Sequence, residues 1–99
     1  AVADYEKALE LGYDPFEVYE YLGYAYFRNE KFDRAIAEYD KAIAIQPGNA
    51  SVISDRGWAY YRLGDMQKAM ADAQEAVRLD PSNTDASDLV ERIEKKLNK

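Results

Sequence analysis

Two aromatic stretches hold the residues with the most chemistry to offer. "YLGYAYFRNEKFDRA" runs from Tyr21 to Ala35, and "DRGWAYYRLGDMQKA" from Asp55 to Ala69, thirty-four residues later. Each places an aromatic ring four residues before an arginine: Tyr24 with Arg28, and Trp58 with Arg62. Acids lead in, with Glu17 and Glu20 before the first pair and Asp55 before the second. Trp, Tyr and Arg are the residue types most enriched at binding hot spots, so this pattern points to recognition. Catalysis finds less support. The chain has no His and no Cys, which removes the commonest general base and the commonest neutral metal ligand. Carboxylates at helical spacing, such as Glu17 with Glu20, are what 19 acids among 99 residues give by chance. Asp80, Ser82, Asn83 and Asp85 carry oxygens but lack the glycine and terminal glutamate of a calcium loop. They read as turn and N-cap residues. There is no glycine-rich phosphate loop. The sequence predicts no enzyme, no cofactor and no metal site.

Charge narrows the partners. The net charge is −6 and the isoelectric point is near 4.6. Affinity for nucleic-acid backbones comes mainly from Lys and Arg, so nucleic acid is not the expected partner. An anionic membrane surface is disfavoured for the same reason, and no apolar run approaches the ~20 residues of a membrane span. The start, "AVADYEKALE", has neither the basic region of a signal peptide nor an initiator Met. A cytoplasmic protein with a protein or peptide partner is expected.

The elements that position these residues are repeated. Laying 16–49 over 50–83 matches Val18/Val52, Gly23/Gly57, Ala25/Ala59, Tyr26/Tyr60, Arg28/Arg62, Ala35/Ala69, Ala42/Ala76 and Pro47/Pro81. Tyr19, Leu22, Gly23 and Tyr26 recur at i, i+3, i+4, i+7, one face of a helix. Phe32, Ala35, Ile36, Tyr39, Ala42 and Ile43 form a second stripe, which "IQPGN" stops because proline cannot continue a helix. The second copy repeats this plan. Six helices are predicted near 1–11, 16–29, 32–45, 50–63, 66–79 and 84–97. The last places Ala86, Leu89, Val90, Ile93 and Leu97 on one stripe, with Asp88/Arg92 and Glu91/Lys95 as i, i+4 ion pairs.

At these residues the chain resembles the tetratricopeptide repeat family. The family's pattern of aromatic, Leu-Gly, Tyr, Ala, aromatic and Pro falls on Tyr19, Leu22-Gly23, Tyr26, Ala35, Tyr39 and Pro47. The second copy departs at Ile53, Arg56 and Ala73. Arg56 points inward by periodicity and should pair with an acid such as Asp72. The resemblance implies an all-α fold of stacked antiparallel helical hairpins in a short right-handed superhelix. The organisation would be the second helix of a partial repeat (1–15), repeats at 16–49 and 50–83, and a capping helix at 84–99.

In the resembling family, first helices line a concave binding groove. The positions implied here are Glu17, Glu20, Tyr24, Phe27, Arg28, Ser54, Asp55, Trp58, Tyr61 and Arg62, to which the cap would add Asp85, Asp88 and Arg92. Phe27 and Tyr61 read mostly as packing residues. Tyr24 and Trp58 should form one aromatic patch, with Trp58 open to solvent. A fitting ligand presents an apolar anchor to that patch. Its basic groups face Glu17, Glu20 and Asp85, and an acidic group faces the arginines. Members that grip the acidic C-terminal tails of heat-shock chaperones hold the terminal carboxylate with Lys, Asn and Arg. The matching positions here are Glu20, Tyr24, Asp55, Asp85 and Leu89, so that carboxylate-clamp type of partner is not expected. An alternative reading is a structural or self-associating segment of a longer or engineered array. The unpaired first helix would then form homo-oligomers through Val2, Tyr5 and Leu9.

Overall fold

The computed structural model describes Lys7 and residues 10–98. Five helices of 14 residues each follow one another: α1 (Pro15–Arg28), α2 (Phe32–Ile45), α3 (Ala50–Leu63), α4 (Met66–Leu79) and α5 (Thr84–Leu97). They fall within one residue of the five predicted segments from 16 onward, and the described residues contain no strand. The predicted helix at 1–11, with Val2, Tyr5 and Leu9, lies outside the described residues except for Lys7, Glu10 and Leu11.

Short side chains set where four of the five helices begin. The carboxylate of Asp14 accepts from the Phe16 amide at 3.0 Å, and Pro15 follows it at the first helical position, where its missing N–H is no loss. Asn49, Asp65 and Asn83 do the same for α3, α4 and α5, each accepting from the amide three residues on at 3.1–3.2 Å. Each cap satisfies one of the amides that a helix start leaves without a partner. Asp80 belongs to the turn before α5: its Oδ1 accepts from the Ser82 amide at 3.1 Å and from the Ser82 hydroxyl at 2.6 Å. The two hairpin turns need a left-handed residue at equivalent places. The second turn has Gly64 there, at φ 90°, and the first has Glu30, at φ 61°.

Packing runs along the stack rather than around one centre. Phe16, Ala35, Tyr39 and Ala42 meet Val52, joining the first hairpin to α3. Ala50, Ile53 and Ala76 meet Ala86 of α5. Ala69 and Ala73 meet Leu89 and Ile93 of α5. Each cluster takes residues from adjacent elements only, as in a stacked array. The molecule is accordingly elongated, 48 × 25 × 17 Å.

Two glycines allow the close approach within the hairpins. A β-carbon on Gly23 would run into the Tyr39 ring. One on Gly57 would lie 2.9 Å from Leu89 Cδ2 and 3.1 Å from Asp72 Cβ. Beside Gly57, Arg56 forms the pair expected with Asp72: Nε donates to Oδ2 and NH2 to Oδ1, both at 2.8 Å. Its NH1 donates to Asp40 Oδ1 at 2.9 Å. Asp72 is buried and Asp40 exposed, so the arginine ties α3 to both α2 and α4.

Gly57→Ala is expected to destabilise the chain by about 1–3 kcal/mol through overpacking, lowering the melting midpoint by several degrees. Gly48→Ala, where no atom lies within 4 Å of the added carbon, should leave it unchanged or slightly raised. Equal midpoints for the two variants in thermal melts would contradict the close-approach account. Asp72→Ala should cost about 2–4 kcal/mol, because it strands a half-buried guanidinium. Asp40→Ala should cost less than about 1 kcal/mol in the same melts.

Candidate functional site: an aromatic groove with an acidic end

A groove of about 430 Å³ runs along the face formed by α1, α3 and α5. α1 contributes Tyr24 and Phe27, and α3 contributes Asp55, Trp58, Tyr61 and Arg62. Tyr39 of α2 lines it as well, and α5 closes it with Asp85 and Arg92. The spacing on α3 explains the grouping, since residues three, four and seven apart share one side of a helix. A smaller depression of about 270 Å³ adjoins it. Glu17, Glu20, Tyr21, Tyr24 and Asp55 line this depression, so Tyr24 and Asp55 belong to both.

Trp58 sits at the middle and is held on three sides. Its indole N–H donates to the Asp85 carbonyl at 3.2 Å. The Arg92 guanidinium lies 5.6 Å from its ring centroid, and the Tyr61 ring meets it edge-on at 5.7 Å. These are ordinary cation–π and edge-to-face geometries. Tyr24 is more open, with 51% of its surface exposed. The Arg28 guanidinium lies 5.8 Å from the Tyr24 ring and donates to the Tyr24 hydroxyl at 3.4 Å.

The groove's two ends carry opposite charge. At one end Asp55 is half-buried, and its pKa is pushed up to about 7 by burial and then by the carboxylates of Glu20 and Asp85. Glu20 is raised as well, by burial and then by Glu17. The Tyr39 hydroxyl is raised by its burial, then by Asp55 and Glu20. At the other end lie Arg62 and Arg92. Arg62 is already engaged, pairing with Glu30 at 3.2 Å and lying 4.9 Å from the Phe32 ring centroid.

Of the residues singled out from sequence, the groove and its adjoining depression bring together Glu17, Glu20, Tyr24, Phe27, Asp55, Trp58, Tyr61 and Arg62. Arg28 stands outside the lining and reaches it only through Tyr24. Ser54 corrects the expectation for its position. It is 1% exposed and lines neither depression, and among the described residues its hydroxyl has no hydrogen-bond partner. The equivalent Glu20 stands on α1, while Ser54 stands on α3, which packs against the first hairpin, α4 and α5, and these neighbours close over it. Trp58 is a second correction. It was expected open to solvent but is half-buried, because α5 lays the Asp85 carbonyl and Arg92 against it. Arg92 is thereby drawn from its expected partner. Among the described residues neither Asp88/Arg92 nor Glu91/Lys95 forms an ion pair within 4.0 Å. Tyr39 was missed. Its hydrophobic stripe assigned it to the hairpin core, where it is indeed buried, and nothing in that stripe tells that its ring also borders the groove.

Among the described residues no helix is long and apolar enough to cross a membrane. The family model for the tetratricopeptide repeat matches residues 22–94. Solved structures agree. The first TPR domain of human RPAP3 superposes with a TM-score of 0.85 at 27% identity, covering 95% of this chain and 74% of that one. The first TPR of Spaghetti (RPAP3), solved bound to the HSP90 peptide SRMEEVD, gives 0.81 at 25% identity, covering 98% and 82%. The Arabidopsis OM64 TPR domain gives 0.80 at 26% identity, covering 83% and 68%. No curated protein sequence matches the chain. Repeat register, helix stacking and family match agree: this chain belongs to the tetratricopeptide repeat family.

Proposed function

We propose that the chain is a protein- or peptide-binding module whose ligand lies along the aromatic groove. Trp58 and Tyr24 act as anchors, Glu17, Glu20 and Asp55 form an acidic rim, and Phe27, Tyr61 and Arg62 flank them. The observation that carries this reading is the groove itself. A half-buried Trp58 stands beside a half-exposed Tyr24 in an open channel that no other part of the described chain fills. Large aromatics left accessible beside arginines are the residues that anchor interfaces. The solved Spaghetti repeat, which holds an HSP90 peptide, supports a peptide as the ligand class. The charge of the groove argues against an acidic tail as that peptide. The resemblance assigns the basic and amide positions of a carboxylate clamp to Glu20, Tyr24, Asp55, Asp85 and Leu89; Leu89 is buried, and Glu20, Asp55 and Asp85 would meet an acidic tail with acids.

A second reading is self-association near the N-terminus through Val2, Tyr5 and Leu9. It draws on the exposed Leu11, Tyr13 and Tyr21, which follow closely in sequence. Tyr5→Lys with Leu9→Lys should convert any dimer to monomer in sedimentation. A wild type that stays monomeric at high concentration would end this reading.

The groove reading is tested by two truncations with different side costs. Tyr24→Ala should weaken peptide binding by about 1–2 kcal/mol with little change in melting midpoint. Trp58→Ala should cost binding about 2 kcal/mol or more and also about 1–2 kcal/mol of stability, since it removes a half-buried ring. The Trp58 emission of the free protein should be intermediate between buried and exposed, and shift to the blue with ligand. Undiminished binding by both variants would defeat the proposal.

Holding carboxylates together at the groove end costs stability, and pH reveals it. The folded pKa of Asp55, about 7, lies above the unfolded value of about 3.9. The folded state therefore binds more protons between these values, and stability falls as pH rises through that window. Asp55→Asn should be more stable than wild type at pH 8, by roughly 1–3 kcal/mol after discounting for solvent in an open groove. The difference should vanish near pH 4. Urea titrations at the two pH values would read it, and a variant less stable at pH 8 would contradict the electrostatic account.

A further inference from the structure

We propose that the groove selects a peptide bearing a lysine or arginine, whose cationic head docks against Asp55. This rests on the peptide-binding reading above and names the chemistry of its ligand. Asp55 stands where the groove and the adjoining depression meet, and it lines both. Glu17 and Glu20 lie to one side of it and Asp85 to the other. Among the described residues none of these four carboxylates is in an ion pair within 4.0 Å. The arginines around the groove are turned to other work. Arg28 bonds the Tyr24 hydroxyl, Arg62 pairs with Glu30, Arg92 lies over Trp58, and Arg56 holds Asp72 and Asp40. The fold thus leaves a half-buried carboxylate among like charges with no cation of its own, and an opposite charge supplied by a ligand fits that gap.

The size and walls of the site favour a side chain over a metal ion. Among the described residues no three carboxylates converge as a metal site would require. Tyr24 and Trp58 line the same groove as Asp55, and such rings suit the methylene stem of Lys or Arg and a cationic head over an aromatic face. The groove volume of about 430 Å³ leaves room beyond one side chain for neighbouring residues of the peptide.

The contact should be coupled to a proton. Besides Asp55, the ionisable groups that line the groove and the depression are Glu17, Glu20, Tyr21 and Tyr24 from α1, Tyr39 from α2, Tyr61 and Arg62 from α3, and Asp85 and Arg92 from α5. Asp55 is raised to about 7, so it is mostly protonated at pH 6 and mostly ionised at pH 8. Lysine stays charged throughout, with a pKa of about 10.4. A ligand cation binds the ionised form, so affinity should rise about tenfold from pH 6 to pH 8, following the competent fraction. Binding near pH 7 should release a fraction of a proton, which calorimetry in buffers of different ionisation enthalpy reads directly.

The test is a selection from a displayed random 12-residue peptide library on the full chain. Recovered peptides are then synthesised with blocked termini and titrated calorimetrically. The expected result is a shared Lys or Arg beside an apolar residue. Replacing that residue by norleucine should cost tenfold or more in affinity, as should Asp55→Asn in the protein. Asp55→Asn should also abolish the pH dependence and the proton release, while a thermal melt shows it folded. Peptides that need Tyr24 and Trp58 yet ignore Asp55→Asn, or that carry acids instead, would overturn the basic-ligand inference and spare the groove. Peptides indifferent to Tyr24→Ala and Trp58→Ala, or none recovered, would remove the groove reading and this inference with it.

Discussion

The constraint on which the structure depends is the contact distance between paired helices, set at Gly23 and Gly57. At each glycine another element reaches into the space a β-carbon would take. In the first hairpin the occupant is the Tyr39 ring. In the second it is Leu89 from α5, with Asp72 Cβ beside it. Because the second filler comes from the next element, the same close approach that closes one hairpin docks α5. Everything downstream inherits this register, including which side of α3 faces the groove.

The departures of the second repeat from the first make sense as one exchange. Tyr39 becomes Ala73, which would leave a hole were Leu89 not inserted; both Ala73 and Leu89 are fully buried. Leu22 becomes Arg56, which would be a buried charge without a partner. Asp72 supplies a two-point clamp and Asp40 a third contact from the preceding hairpin. The hydrogen bonds that the guanidinium donates to Asp72 hold it well above its ordinary pKa, so the charge persists at any accessible pH. A pair this buried adds little net stability over an apolar pair, and its three contacts link α3 to both α2 and α4.

The fold was legible because its information is local and repeated. Caps at Asp14, Asn49, Asp65 and Asn83, and stops at Pro47 and Pro81, set helix ends in the residues beside them, so predicted and observed boundaries agree. The Arg56–Asp72 pair was legible too, since both residues fall on the inward faces of one hairpin. The groove was legible in outline, because residues seven apart on α3 share a side. What sequence periodicity could not show was the effect of the next element in the stack. Ser54 occupies the same position as Glu20, yet α3 has neighbours on both sides and closes over it. Trp58 reads as an exposed ring until α5 arrives. Tyr39 reads as core, and the border it gives to the groove arises only where α1 and α3 come together around it.

α5 couples stability to recognition. Ala86, Leu89 and Ile93 line its buried face at i, i+3, i+7 and complete the core under Gly57. Asp85 and Arg92, also seven apart, lie on an adjoining face and shape the groove. Shifting the helix by one residue along its axis would move both sets together. The carbonyl that receives the Trp58 N–H would leave with the side chains that bury Ala73. The indole orientation is thus fixed by the core contact of a different face of α5. The same docking brings the Asp85 carboxylate toward Asp55, adding to a repulsion that the apolar contacts of Leu89 and Ile93 must outweigh. A helix stabilised by its buried face can hold a charge in an unfavourable place on another, which is how a small stack keeps an unpaired carboxylate half-buried.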